Sequence, residues 1–206
     1  MSEILPSIFG ADYRAGFHGG LFDAALVSGP DKWFPYCEGF RRAADAIVDG
    51  VELSPRSQNL LIYPVLYLYR HHIELALKLI YLEGAERNLS NGSFLATHDL
   101  NKLWAKAKGV LASGDLLHGQ GVDFETVERL IEELHEVDPH GEAFRYPVGR
   151  RQEPSLPVGL THANFGAVRS AVGLLADSLD VARMAICYTP ALQPELQRLM
   201  EEEWTP

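Results

Sequence analysis

Between Pro35 and about Val51 the apolar and small residues Phe40, Ala43, Ala44, Ile47 and Val48 recur every three or four positions. That period predicts an amphipathic helix, which Ser54-Pro55 then ends. The next segment, from about Ser57 to Glu83, is apolar on nearly every side, so it reads as a central helix that other elements must surround. Pro64 either kinks this helix or marks its true start, and Gly84 stops it. A third helix opens at Thr97, taken as its N-cap, with Asp99 in the first turn, where the helix dipole favours negative charge. A fourth runs from Phe124 to Val137, carrying Val127, Leu130, Ile131 and Leu134 on one face and acids on the other. A fifth, from Thr161 to about Cys187, places Phe165, Val168, Val172, Leu175, Leu179 and Ala182 at helical spacing, and a short acidic sixth (PELQRLMEEEW) follows. Strand alternation and repeats are missing, so the expected fold is all-α: one helical bundle of about five helices over residues 35–206, preceded by an irregular Gly- and Pro-rich arm over residues 1–34.

Composition narrows the function. Apolar residues make up 47% of the chain and charged residues 22%, which suits an ordinary folded domain. The net charge of −10 opposes non-specific binding to nucleic acid or anionic membrane, so any contact with phosphate has to be local. The first residues lack the pattern of a signal peptide, and the most apolar stretch, Leu60 to Tyr69, is too short to span a bilayer; the expectation is a cytoplasmic protein with no membrane contact. Cys37 and Cys187 stand far apart without CxxC spacing, which suggests two buried free thiols rather than a zinc site. The motifs of the common metal and nucleotide sites do not occur, so no cofactor and no metal are expected.

Chemistry gathers on the central helix. Arg70, Glu74 and Lys78 fall at i, i+4 and i+8 and form one polar stripe on a cylinder of Leu, Ile, Tyr and Ala, with His71 flanking it and His72 more to the side. Buried charge is costly unless paired, so this stripe faces either matched partners or a solvent-filled cleft. In the first case it is an ion-pair ladder that fixes helix register. In the second, its cations and His71 suit metal-free phosphoryl chemistry, which needs a proton shuttle near neutral pKa beside fixed positive charge. The long Pro- and Gly-rich connection Asp138–Gly159 adds Arg145, Arg150 and Arg151, with His162 beyond it at the start of the fifth helix. His98 beside the cap has a plain alternative role, bonding a neighbouring loop. His18, His118 and His140 lie in Gly-rich loops and carry little signal.

RHHIELALKLIYLEG followed by THDLNKLW resembles the HEPN superfamily of helical proteins, through Glu74, Lys78, His98, Asp99, Leu100 and Leu103. The segment Asp138 to Pro147, with its FRYP, is similar to one found in bacterial relatives of that pattern. The resemblance spans roughly residues 60 to 185 and implies a HEPN-like bundle, a homodimer, and an RNA-cleaving or RNA-binding role in a defence or toxin-antitoxin setting. The mechanism expected for that role has His71 or His98 moving a proton from a ribose 2′-hydroxyl while Arg70, Lys78 and Arg145 stabilise the phosphorane-like charge, with the ladder through Glu74 orienting His71; Asp99, Tyr146 and His162 are secondary candidates. The chain departs from the family's Arg and His pair near the start of a late helix. Its only matching spacing is Arg129 to His135 in mid-helix, where positions six apart diverge by about 120°. The competing expectation is a non-catalytic module that meets a protein partner, with the stripe purely structural.

Overall fold

The computed structural model describes residues 32–50, 55–91, 93, 95–117, 121–149 and 151–188. The expected arm, apart from its last residues, and the acidic sixth helix lie outside these, as do Arg150 and His118. The described chain is all-α, with five helices: α1 (Trp33–Asp49), α2 (Pro55–Glu86), α3 (Leu100–Ser113), α4 (Phe124–Val137) and α5 (Phe165–Cys187). Among the described residues no strand forms beyond an isolated bridge between Val148 and Pro154, and no helix is long and apolar enough to cross a membrane.

α2 is the axis. Its 32 residues extend about 48 Å at 1.5 Å per residue. It starts at Pro55, where a proline lacks only a donor that the first turn could not use, and it passes through Pro64 without ending. Residues 72–81 are buried without interruption, because α1, α3 and α5 all pack on this half. The other half is not surrounded as its composition suggested: Leu60 is 68% exposed and Tyr63 47%. The core joins Val65, Ile73, Leu77 and Ile80 of α2 to Leu103 and Ala107 of α3, Ile131 of α4, and Leu175, Leu179 and Ile186 of α5.

Several boundaries differ from the expected ones for local reasons. α1 begins two residues early, at Trp33, since Pro35 in a first turn costs no helical bond. Gly84 does not stop α2. It lies inside the helix where a side chain would collide with Val110, so its role is to admit α3. The helix ends instead in a Schellman turn: Asn88 adopts φ 58°, Leu89 N donates to Gly84 O (2.8 Å) and Asn88 N to Ala85 O (3.0 Å). The cap of α3 is Asp99, not Thr97; its carboxylate accepts from Lys102 N (3.0 Å), while Thr97 Oγ1 accepts from Asp99 N (3.1 Å). α5 starts at Phe165 rather than Thr161, capped by Asn164, which accepts from Ala167 N at 2.9 Å. Both cysteines are free thiols; Cys37 is buried as expected, but Cys187 only half so.

Candidate functional site

The stripe on α2 is buried. Arg70 is 1% exposed, Glu74 2% and Lys78 5%. Three donors converge on the Glu74 carboxylate: Arg70 Nη1 on Oε2 at 2.7 Å, and Lys78 Nζ (2.8 Å) and His98 Nδ1 (2.9 Å) on Oε1. Burial by itself would push this carboxyl up. The hydrogen bond and charge of Lys78, then those of Arg70, outweigh it and hold the pKa near 2, so Glu74 is an anion at neutral pH.

Two cations around one carboxylate leave an excess of charge, and a second buried carboxylate balances it. Asp138, 1% exposed, follows the end of α4 and sets its Oδ2 3.1 Å from Arg70 Nε. That approach is Coulombic rather than a hydrogen bond, since Arg70 Nε donates to the Asp138 carbonyl at 3.3 Å. Asp138 Oδ1 accepts from Glu142 N (2.8 Å) and Ala143 N (3.0 Å), folding the DPHGEAF turn back on the helix. Arg70 Nη2 donates to the His98 carbonyl at 2.6 Å. One guanidinium therefore ties together α2, the approach to α3 and the chain leaving α4. Gly141 makes room for it: its φ is +74°, and a Cβ there would lie 3.2 Å from Arg70 Nη1.

His98 links this interior to solvent. Its side chain is 58% exposed although Glu74 is 2% exposed. An ionised carboxylate can only accept, so Nδ1 carries a proton, and in the neutral ring Nε2 is the bare nitrogen. His98 lines a cleft of 740 Å³ together with Asp99, Lys102, His140, Arg151 and Glu153. Lys102 also pairs with Asp99 at 3.1 Å.

His71 lies on the other flank of Glu74, half-buried and packed edge-on against Phe40 (4.4 Å between centroids) and stacked on Tyr67 (5.7 Å). Burial, with the charges of Arg70, Lys78 and His98, lowers its pKa, and Glu74 only partly offsets them. Arg145 donates Nε to Gly141 O at 2.7 Å and stands 5.6 Å from the ring centroids of both Tyr67 and Tyr146. Thus Arg70, Lys78 and His98 meet at Glu74 and His71 feels its charge, whereas Asp99 pairs with Lys102, and Arg145 and Tyr146 join the cluster only through Gly141 and Tyr67. His162 is elsewhere, in a cleft between the start of α2 and the N-terminus of α5 with Gln58 and Asn59. Arg129 and His135 do not meet: Arg129 pairs with Glu133 at 3.5 Å, while His135 Nδ1 approaches Asp99 at 3.6 Å.

Sequence reasoning missed Asp138, Gly141 and the buried pair of His72 and Cys37. The excess charge of the stripe was a usable signal for the first. His72 Nδ1 lies 2.9 Å from the Cys37 carbonyl and 3.4 Å from its thiol; burial first, then Asp180 and Glu38, push that thiol up to about 12, which leaves it unreactive. Among the described residues no group of three or more His, Cys, Asp or Glu is placed to hold a metal ion. Compared with family models, curated proteins and solved structures, the chain matches none.

Proposed function

We propose that the chain is a HEPN-like protein that cleaves RNA without a metal ion, with His98 as the proton shuttle. The observation that carries this reading is the 2.9 Å contact from buried, ionised Glu74 to Nδ1 of His98, an exposed residue that lines an open cleft. A carboxylate behind a histidine fixes its tautomer and steadies the imidazolium that forms. Nε2 takes the proton of a ribose 2′-hydroxyl as that oxygen attacks the adjacent phosphorus; the 5′ oxygen leaves, protonated from solvent, and a 2′,3′-cyclic phosphate remains. Arg70 and Lys78 act through Glu74 rather than on phosphate, because both are buried against carboxylate. Arg151 and Lys102, in the cleft, are cations a phosphate can reach there, and Arg145 is exposed outside it.

The test is incubation of a mixed RNA pool with the purified protein in EDTA, followed by analysis of the ends. Fragments ending in 2′,3′-cyclic phosphate are expected; intact RNA would reject cleavage. A second reading, a non-catalytic interaction module, is favoured by the charge balance of the interior: two buried cations meet two buried carboxylates and leave little for a ligand. Intact RNA would select it.

The HEPN resemblance also implies a homodimer, and the outer face of α5 supports that. Leu174, Val181, Met184 and Tyr188 recur there at helical spacing and are 50%, 43%, 43% and 78% exposed. Light scattering at micromolar concentration is expected to give twice the 22.9 kDa chain mass; a monomer mass would contradict it.

A further inference from the structure

Ring and guanidinium planes follow one another from Phe40 through His71 and Tyr67 to Arg145 and end at Tyr146, which is 55% exposed. The stack is held at both ends of its chain connections. Tyr67 and His71 sit one turn apart on α2, and Arg145 is fixed by its Nε bond to the Gly141 carbonyl, in the turn that Asp138 folds against Arg70. That bond uses only one edge of the guanidinium. No carboxylate among the described residues lies within ion-pair distance of Arg145, although most other arginines of the chain have one.

A stack that served packing alone would bury its outermost ring and neutralise its cation. This one leaves Tyr146 more than half exposed beside an exposed Arg145, on a protein whose net charge is −10. An exposed aromatic ring with a fixed cation over it offers what an unpaired base and its phosphate need: every base has a π-face, and an arginine already oriented loses less freedom on meeting the anion. A base inside a duplex is already stacked on both faces and cannot use such a plane.

We infer that Tyr146 and Arg145 form a shelf that seats one unpaired base and its phosphate, so that the RNA recognised is single-stranded. This rests on the proposed RNA-directed role and specifies its substrate; it does not depend on the His98 chemistry being correct.

The experiment uses a fluorescently labelled, unstructured 2′-O-methyl oligoribonucleotide, which binds but lacks the hydroxyl needed for cleavage, and a 2′-O-methyl duplex of equal length. By anisotropy the single strand is expected to bind at least tenfold more tightly than the duplex. Tyr146→Ala should weaken it about tenfold, the loss typical of one stacking plane, while Tyr146→Phe keeps it. Arg145→Gln should lower the slope of log K against log salt by about 0.7, one phosphate contact on a single strand. Thermal melts check that each variant is folded. Equal affinity for duplex, no effect of Tyr146→Ala in a folded protein, or no binding of the single strand would each overturn the inference. Binding with these properties alongside intact ordinary RNA in the EDTA assay would remove the cleavage mechanism and keep the shelf. Cleavage of ordinary RNA by Tyr146→Ala with unchanged KM would remove the shelf and keep the mechanism.

Discussion

Glu74→Ala is expected to lower stability by about 3–5 kcal/mol, the range found when one member of a buried ion pair is removed. The reason is what stays behind. Arg70 and Lys78 remain in a site where they are 1% and 5% exposed, without the carboxylate they share, and His98 loses the acceptor for its Nδ1 proton. Glu74→Gln keeps the volume but not the charge, and should recover only part of the loss. The sign with pH follows from a carboxyl whose folded pKa, about 2, is below its ordinary 4.5. Its contribution is fully present above pH 4.5 and fades as pH falls towards 2. Chemical denaturation of wild type and Glu74→Gln across that window should show the gap between them narrowing on the acid side. A midpoint for Glu74→Ala close to wild type at pH 7 would show that the ladder is not the fold's keystone.

His98→Ala is expected to lower RNA cleavage in EDTA by about 10²–10⁴-fold, the usual worth of a positioned proton-transfer group. Thermal stability should change far less than in Glu74→Ala, because the His98 side chain is 58% exposed and its structural bond to Arg70 is made by the backbone carbonyl, which alanine keeps. His71→Ala should behave in the opposite way. That ring is half-buried between Phe40 and Tyr67, so its loss costs packing more than turnover. Full activity in folded His98→Ala would remove this residue from the chemistry.

Helix identity was legible wherever one signal controlled it. α4 matches its expected bounds at both ends, since Asp123 supplies the only nearby cap and the apolar face of Val127 and Ile131 fits only one register. Where two residues could cap, sequence could not choose. Thr97 and Asp99, like Thr161 and Asn164, are all competent acceptors, and which one meets free amide groups depends on where Leu100 and Phe165 dock in the core. Gly84 was misread for a related reason: glycine ends helices and also admits close neighbours, and only the position of Val110 distinguishes the two.

The site divides the same way. The i, i+4, i+8 rule is a property of one helix, so it placed Arg70, Glu74 and Lys78 correctly relative to one another. Their burial, and Asp138 as the balancing anion, depend on a contact spanning 68 residues, which no local period encodes. The choice between His71 and His98 was equally non-local. It turns on Phe40 of α1 covering one imidazole while the other is left at the edge of a cleft.

The central claim is that buried, ionised Glu74 holds His98 by Nδ1 and leaves Nε2 as the bare nitrogen of the neutral ring, and nitrogen-15 NMR of the His98 imidazole at a pH where the ring is neutral tests it most directly. The account predicts the Nδ1–H tautomer for wild type and a reversion to the mixture typical of a free imidazole in Glu74→Gln. An Nε2–H tautomer in wild type, or a spectrum unchanged by Glu74→Gln, would contradict it.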